Sequence, residues 1–158
     1  MSGAGRTLDV ANRHPRLKID RQALAAAIGL LDSRAAEFKG GCPPGDLSVA
    51  FVADPELARI HARYLDDPSV TDVITFAGDP AHAFAGEICV SADAALRQAG
   101  KAPGARSDEL TLYVVHGWLH LAGYGDTDPP ARRAMRRAEA RALRILSRSG
   151  ALPRFKLA

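Results

Sequence analysis

The sequence predicts an α+β domain: a small mixed four-stranded sheet packed with about five helices. Three observations carry this. Short apolar stretches with two-residue alternation recur through the first 91 residues, separated by helical segments. Three helical segments then follow one another toward the C-terminus, so strands and helices are partly segregated along the chain. The length of 158 residues, with 47% hydrophobic and 25% charged residues, fits one domain over residues 1–158 with a sizeable core.

The elements follow in order. Leu8 and Val10 begin a first strand. Asp20 caps an Ala/Leu-rich helix from about Arg21 to Phe38, which Gly40 and Gly41 stop. Leu47, Val49 and Phe51 alternate as a second strand. Because a helix lies between these two strands, a parallel crossover is expected. Asp54 as N-cap, followed by Pro55 at the first helical position, opens a short helix to about Tyr64, and Asp66, Asp67, Pro68 and Ser69 make a polar loop. Asp72–Phe76 and Gly86–Ser91 read as two strands of a hairpin joined by a loop that contains His82. Ser91 caps a helix over 92–99, and Ser107 caps a long apolar helix containing two histidines. Pro129 and Pro130 lead into a last helix, about Ala131–Ser147, with Met135, Ala138, Ala142 and Leu146 as its apolar stripe. Strand order does not follow from the sequence.

Composition narrows the function. No apolar run approaches the ~20 residues of a membrane span, and residues 1–6 have no signal-peptide character, so a cytoplasmic location is the default expectation. Cys42 and Cys89 stand far apart, outside any metal or redox spacing, and read as reduced structural thiols. Residues 131–158 carry nine Arg and Lys against Glu139 alone, while the rest of the chain is net acidic. This asymmetry fits contact with a polyanion, with Arg133, Arg136 and Arg137 as candidate nucleic-acid contacts; a solvated basic helix is the alternative.

The strongest chemical signal is at residues 116–126. His116 and His120 are four apart, so a helix stacks both imidazoles on one face. Their helix is apolar nearly all round and should be buried, and a buried imidazole needs partners for its ring nitrogens. Gly123 lets the chain leave the helix, and Asp126 can swing back as a third ligand. Two nitrogens and a carboxylate that leave one position open form the pattern of a catalytic Zn²⁺ site. Such a site supports hydrolysis of peptides or of phosphodiesters. Extended zinc proteases carry Glu directly after the first His; here that residue is Gly117, which weakens a protease reading. His14 and His61 read as structural or solvated, His82 as a surface-loop residue, and Tyr124 as packing.

The run His116-Gly117-Trp118-Leu119-His120-Leu121-Ala122-Gly123-Tyr124-Gly125-Asp126 resembles the hallmark His-Gly-x-Leu-His-Leu-x-Gly-Tyr-Asp-His of the YbeY family of bacterial endoribonucleases. Thr71–Phe76 resembles that family's Thr-Asp-Val-Leu-Ser-Phe, Gly86–Ile88 its Gly-Asp-Ile, and Met135 and Glu139 fall where its last helix has Met and Glu. The resemblance spans about residues 8–147. It implies an α+β domain with one zinc-type ion per chain, the metal site lying in a cleft beside the sheet, and cleavage of single-stranded rRNA. It also implies maturation of the small-subunit (16S) rRNA 3′ end, ribosome quality control, and the small ribosomal subunit with its associated factors as partners. Two positions depart from the family. Its third histidine is Asp126 here, a competent Zn²⁺ ligand, with Asp128 as the substitute. Its Arg after Tyr is replaced by Leu65, leaving Arg63 or Arg59 as candidates for that catalytic role or as solvated helix arginines. Two other readings stay open: a non-catalytic assembly factor with a structural metal, and a zinc hydrolase of peptides or small molecules.

Overall fold

The computed structural model describes residues 6–65 and 72–157. Strands β1 (Leu8–Asn12), β3 (Asp46–Val52), β4 (Val73–Asp79) and β5 (Phe84–Ser91) form one mixed sheet in the order β1-β3-β5-β4. The pairs β1–β3 and β3–β5 are parallel, and β4–β5 is antiparallel. Strands β2 (Leu17–Ile19) and β6 (Phe155–Leu157) form a separate antiparallel ribbon, which the sequence reading lacks. The helices are α1 (Arg21–Ser33), α2 (Asp54–Leu65), α3 (Ala92–Gln98), α4 (Ala105–Leu121) and α5 (Pro129–Arg148).

Side-chain alternation divides the sheet into two faces. Leu47, Val49 and Phe51 of β3 and Ile88 and Val90 of β5 enter the main core with α1, α3, α4 and α5. Ala50, Val52, Ile74 and Cys89 face the other way, onto Leu57 and Ile60 of α2. Helix α4 thus lies in the main core, and α2 packs on the opposite face.

Three helix ends differ from expectation. Helix α1 stops at Ser33 rather than Phe38, because Ala35–Glu37 tighten into a 3₁₀ turn before the glycines. Helix α4 begins after Gly104, whose φ of +80° suits glycine, and Ser107 lies inside the first turn. Ser107 Oγ instead accepts from Phe155 N at 3.1 Å and so ties β6 to α4. At α2, Asp54 is the first helical residue; its carboxylate accepts from Ser91 Oγ (2.7 Å) and Arg97. Asp20 and Ser91 cap α1 and α3 as expected, accepting from Ala23 N and Ala94 N. The loop expected at Asp66–Ser69, and Thr71, lie outside the described residues, as do the side chains of His61 and Tyr64.

Candidate metal centre

Helix α4 reaches the sheet closely because residue 117 has no side chain. A Cβ there would stand 2.5 Å from Ile88 Cγ2 and 3.1 Å from Ile88 Cδ1. Ile88 is fully buried and branched at Cβ, so it has little freedom to withdraw. Position 117 therefore faces the sheet, while His116 and His120 occupy another face near the C-terminal end of α4. Trp118, fully buried one residue on, donates from Nε1 to Asp32 Oδ1 at 3.1 Å and stacks edge-on with Phe38. These contacts fix the rotation of α4 about its axis.

The two imidazoles stand with ring centroids 4.7 Å apart and planes at 77°. Past the C-terminus of α4 the chain turns back, and Asp126 Oδ2 lies 3.3 Å from His120 Nε2 and 3.6 Å from His116 Nε2. One ligand atom from each of the three residues lies within 4.8 Å of the others, and all three side chains are half-buried. Tetrahedral bonds of about 2.0–2.1 Å put neighbouring ligand atoms roughly 3.3–3.4 Å apart, so the two nitrogen–oxygen separations suit a shared ion.

Glu139 on α5 completes the centre. It is 5% exposed. It accepts from His116 Nδ1 at 2.6 Å and from Arg136 Nη1 at 2.7 and 2.9 Å. Burial raises its pKa, but hydrogen bonds from His116 and Arg136, with their charges, outweigh burial and hold it below the ordinary glutamate value. An ionised Glu139 assigns the His116 proton to Nδ1 and leaves the Nε2 lone pair toward Asp126. His116 Nε2 and His120 Nε2 both face Asp126 Oδ2, the latter within hydrogen-bond distance, and two imidazole nitrogens with a carboxylate oxygen are a donor set that fits a divalent ion. A carboxylate behind a ligating imidazole is the usual way a metal site fixes its tautomer and ring orientation. Sequence reading noted Glu139 only as a family landmark. Its one local signal was a lone acid among the arginines of an amphipathic helix.

His116, Asp126, Arg136 and Glu139 line a cleft of about 440 Å³ together with Glu109 and Tyr113. Burial, and then the neighbouring Glu109 charge, push the Tyr113 hydroxyl upward, so it stays protonated at neutral pH. The other candidates are distributed as follows. Asp128 is the α5 N-cap, accepting from Ala131 N at 2.8 Å, and this role replaces the ligand role considered for it. Arg133, Arg136 and Arg137 are exposed and share a shallow groove with Arg132 and Pro129 at the start of α5. Arg136 lines both groove and cleft. Arg59 and Arg63 are exposed on α2, which covers the opposite face of the sheet, and neither lines the cleft. His82 is an exposed residue paired with Asp79 at 2.6 Å. His14 is buried and structural: its Nδ1 accepts from Arg16 N and its Nε2 meets Asp93 Oδ1 at 2.8 Å.

A family model described as Endoribonuclease YbeY matches residues 9–147. A Rhodopirellula baltica protein named Endoribonuclease YbeY is 36% identical over 109 residues, covering 67% of this chain and 56% of that protein. A Chlamydia pneumoniae protein of the same name is 36% identical over 115 residues, covering 68% of this chain and 73% of its own length. The chain therefore spans little more than half of the first of these relatives. The solution structure of a Thermotoga maritima protein superimposes with a TM-score of 0.58 at 19% identity, covering 90% of this chain and 91% of that one, and shows the same fold.

Proposed function

The chain belongs to the Endoribonuclease YbeY family, and on that premise we propose that it is a metal-dependent endoribonuclease acting on single-stranded RNA. The observation that carries the proposal is the convergence of His116, His120 and Asp126, backed by the buried Glu139. We take residues 1–158 as one catalytic domain.

The charges of the cleft support metal dependence. Asp72, Glu109, Asp126 and Glu139 face it against Arg136 and His116, a balance that by itself repels a phosphodiester. His116, His120 and Asp126 would hold the ion, with Zn²⁺ favoured by two imidazoles and a carboxylate. When bound, such an ion supplies the positive charge that polarises a phosphoryl oxygen. The chain's residues do the rest. Glu139 holds the Nδ1 proton of His116 and so keeps Nε2 directed at the ion. Arg136, paired with Glu139 yet 64% exposed, can turn remaining donors toward a phosphate. Arg132, Arg133 and Arg137 extend that cationic surface along the strand. Gly117 opposes a protease reading on steric grounds, because a carboxylate side chain there would enter the sheet at Ile88 rather than the cleft.

At the finer level, the reading is maturation of the small-subunit (16S) rRNA 3′ end and ribosome quality control. The small ribosomal subunit and its associated factors would be the partners, and the cytoplasm the location. No described helix is long and apolar enough to cross a membrane. The test is cleavage of labelled single-stranded and duplex RNA by metal-loaded protein, with elemental analysis of the wild type and Asp126→Ala. Single-strand cleavage by wild type, with His116→Ala inactive and Asp126→Ala depleted of metal, supports the proposal. Equal cleavage by wild type and His116→Ala overturns it.

A further inference from the structure

At the opposite end of α4 from the histidines, five cationic side chains meet that are scattered in the sequence. Arg16 and Lys18 come from β2 and its approach, Lys101 from the loop before α4, Arg106 from the first turn of α4, and Lys156 from β6. They line a depression of about 660 Å³, and no carboxylate side chain joins them among the described residues. All five are exposed, and none forms an ion pair among the described residues. Arg106 is held by one hydrogen bond, from Nη1 to Leu157 O at 2.8 Å.

The β2–β6 ribbon makes the arrangement costly for the protein alone. Leu17, Ile19, Phe155 and Leu157 point into the core, so Lys18 and Lys156 share the outer face. They are direct cross-strand partners. Like charges placed directly opposite each other destabilise an antiparallel pair, and neither lysine forms an ion pair among the described residues. A polyanion laid across the ribbon would relieve the repulsion.

We propose that this depression is a second RNA-binding site, which grips the phosphodiester backbone of the strand being cut at a distance from the scissile bond. The inference rests on the RNA-cleaving reading above for its choice of polyanion. Along α4, the rise from Arg106 to His116 and His120 is roughly 15–21 Å, so only a strand longer than the cleft requires reaches both sites. Phe155 lines the floor of the depression but is buried, so the five exposed cations dominate its surface, which suits sequence-independent contact with the phosphate backbone.

The decisive variant is Lys18→Glu. It replaces a like-charge cross-strand pair by an opposite-charge one, so the ribbon should become slightly more stable while RNA affinity falls. A merely structural role would move both together. Binding of single-stranded RNAs of about 5 and about 20 nucleotides is measured by anisotropy over a range of salt, with cleavage of both in parallel. For the longer strand the expected result is a loss of about fivefold or more in affinity, with a salt slope reduced by about 0.7 per lost contact. Cleavage of the short strand should be unchanged. Lys101→Ala, in a loop outside the ribbon, should weaken long-strand binding without altering the melting temperature, and guards against misfolding of the first variant. Unchanged long-strand affinity and salt slope in both variants overturn this site. Failure of wild type to cleave either RNA overturns the catalytic reading instead, and the binding data still decide the second site.

Discussion

Replacing Glu139 by Gln tests whether that residue organises the metal centre or only pairs with it. The carboxylate accepts from His116 Nδ1 at 2.6 Å and from Arg136 at 2.7 Å, and its side chain is 6% exposed, so water cannot take over either contact. Gln keeps the shape but has one accepting oxygen, and its amide nitrogen must face whichever donor is left. Exchanging a charge-assisted hydrogen bond for a neutral one costs about 1–2 kcal/mol. By the conversion of about 1.4 kcal/mol per factor of ten this weakens metal binding roughly 5–30-fold, near the range found when such a supporting carboxylate is lost. The assay is competition with a chromophoric chelator at fixed pH, beside thermal melts of metal-free and metal-loaded protein. The expected outcome is a roughly tenfold higher Kd and a smaller melting increment on adding metal. An affinity within a factor of two of wild type, in a protein that melts normally, would refute the orienting role.

Other outcomes follow from the same structure. Gly117→Ala should lower stability by about 1 kcal/mol: overpacking against Ile88 costs about 1–3 kcal/mol, and better helix propensity returns up to about 1. Adding Ile88→Ala should make the two effects clearly non-additive in a denaturant-based double-mutant cycle, and simple additivity would contradict the close-approach account. Burial pushes the thiol of Cys42 up to about 11 and that of Cys89 to about 12, so both should resist a thiol reagent at pH 8 until the protein is unfolded. Asp93 is held below the ordinary carboxylate value: burial opposes this, but the Asp54 backbone N–H and His14 outweigh it. Its contribution is therefore complete above the unfolded pKa of about 4 and is lost as pH falls through the lowered one. Asp93→Asn should cost about 1–2 kcal/mol at pH 7 and flatten the acid limb of the stability curve, read by denaturant melts from pH 7 to 3.

Much of the site was legible because its signals are local. The His116–His120 spacing needs only a helix, and the turn at Gly123 that returns Asp126 lies within six residues of His120. The central strands were legible where alternation runs long enough, as in Leu47, Val49 and Phe51. The ribbon was not, because Leu17–Ile19 and Phe155–Leu157 are three-residue strands that alternate too briefly to register and whose partners lie at opposite ends of the chain. Its cationic face was hidden for the same reason. Glu139 escaped notice as a functional group because its role depends on the packing of α5 against α4, which no sequence period reports. Asp128 shows the reverse error: a carboxylate in the right stretch that the start of the next helix claims as its cap.

The account stands on a metal centre that cuts RNA, and the most direct test follows one preparation through loss and return of its metal. Labelled single-stranded RNA is incubated with wild type as purified, after chelation with metal removal verified by elemental analysis, and after adding back Zn²⁺, beside His120→Ala treated identically. The prediction is cleavage that disappears with the metal and returns with it in wild type, and none at any stage in His120→Ala. Wild type that cuts equally well without metal, or His120→Ala that cuts at the wild-type rate, would contradict it.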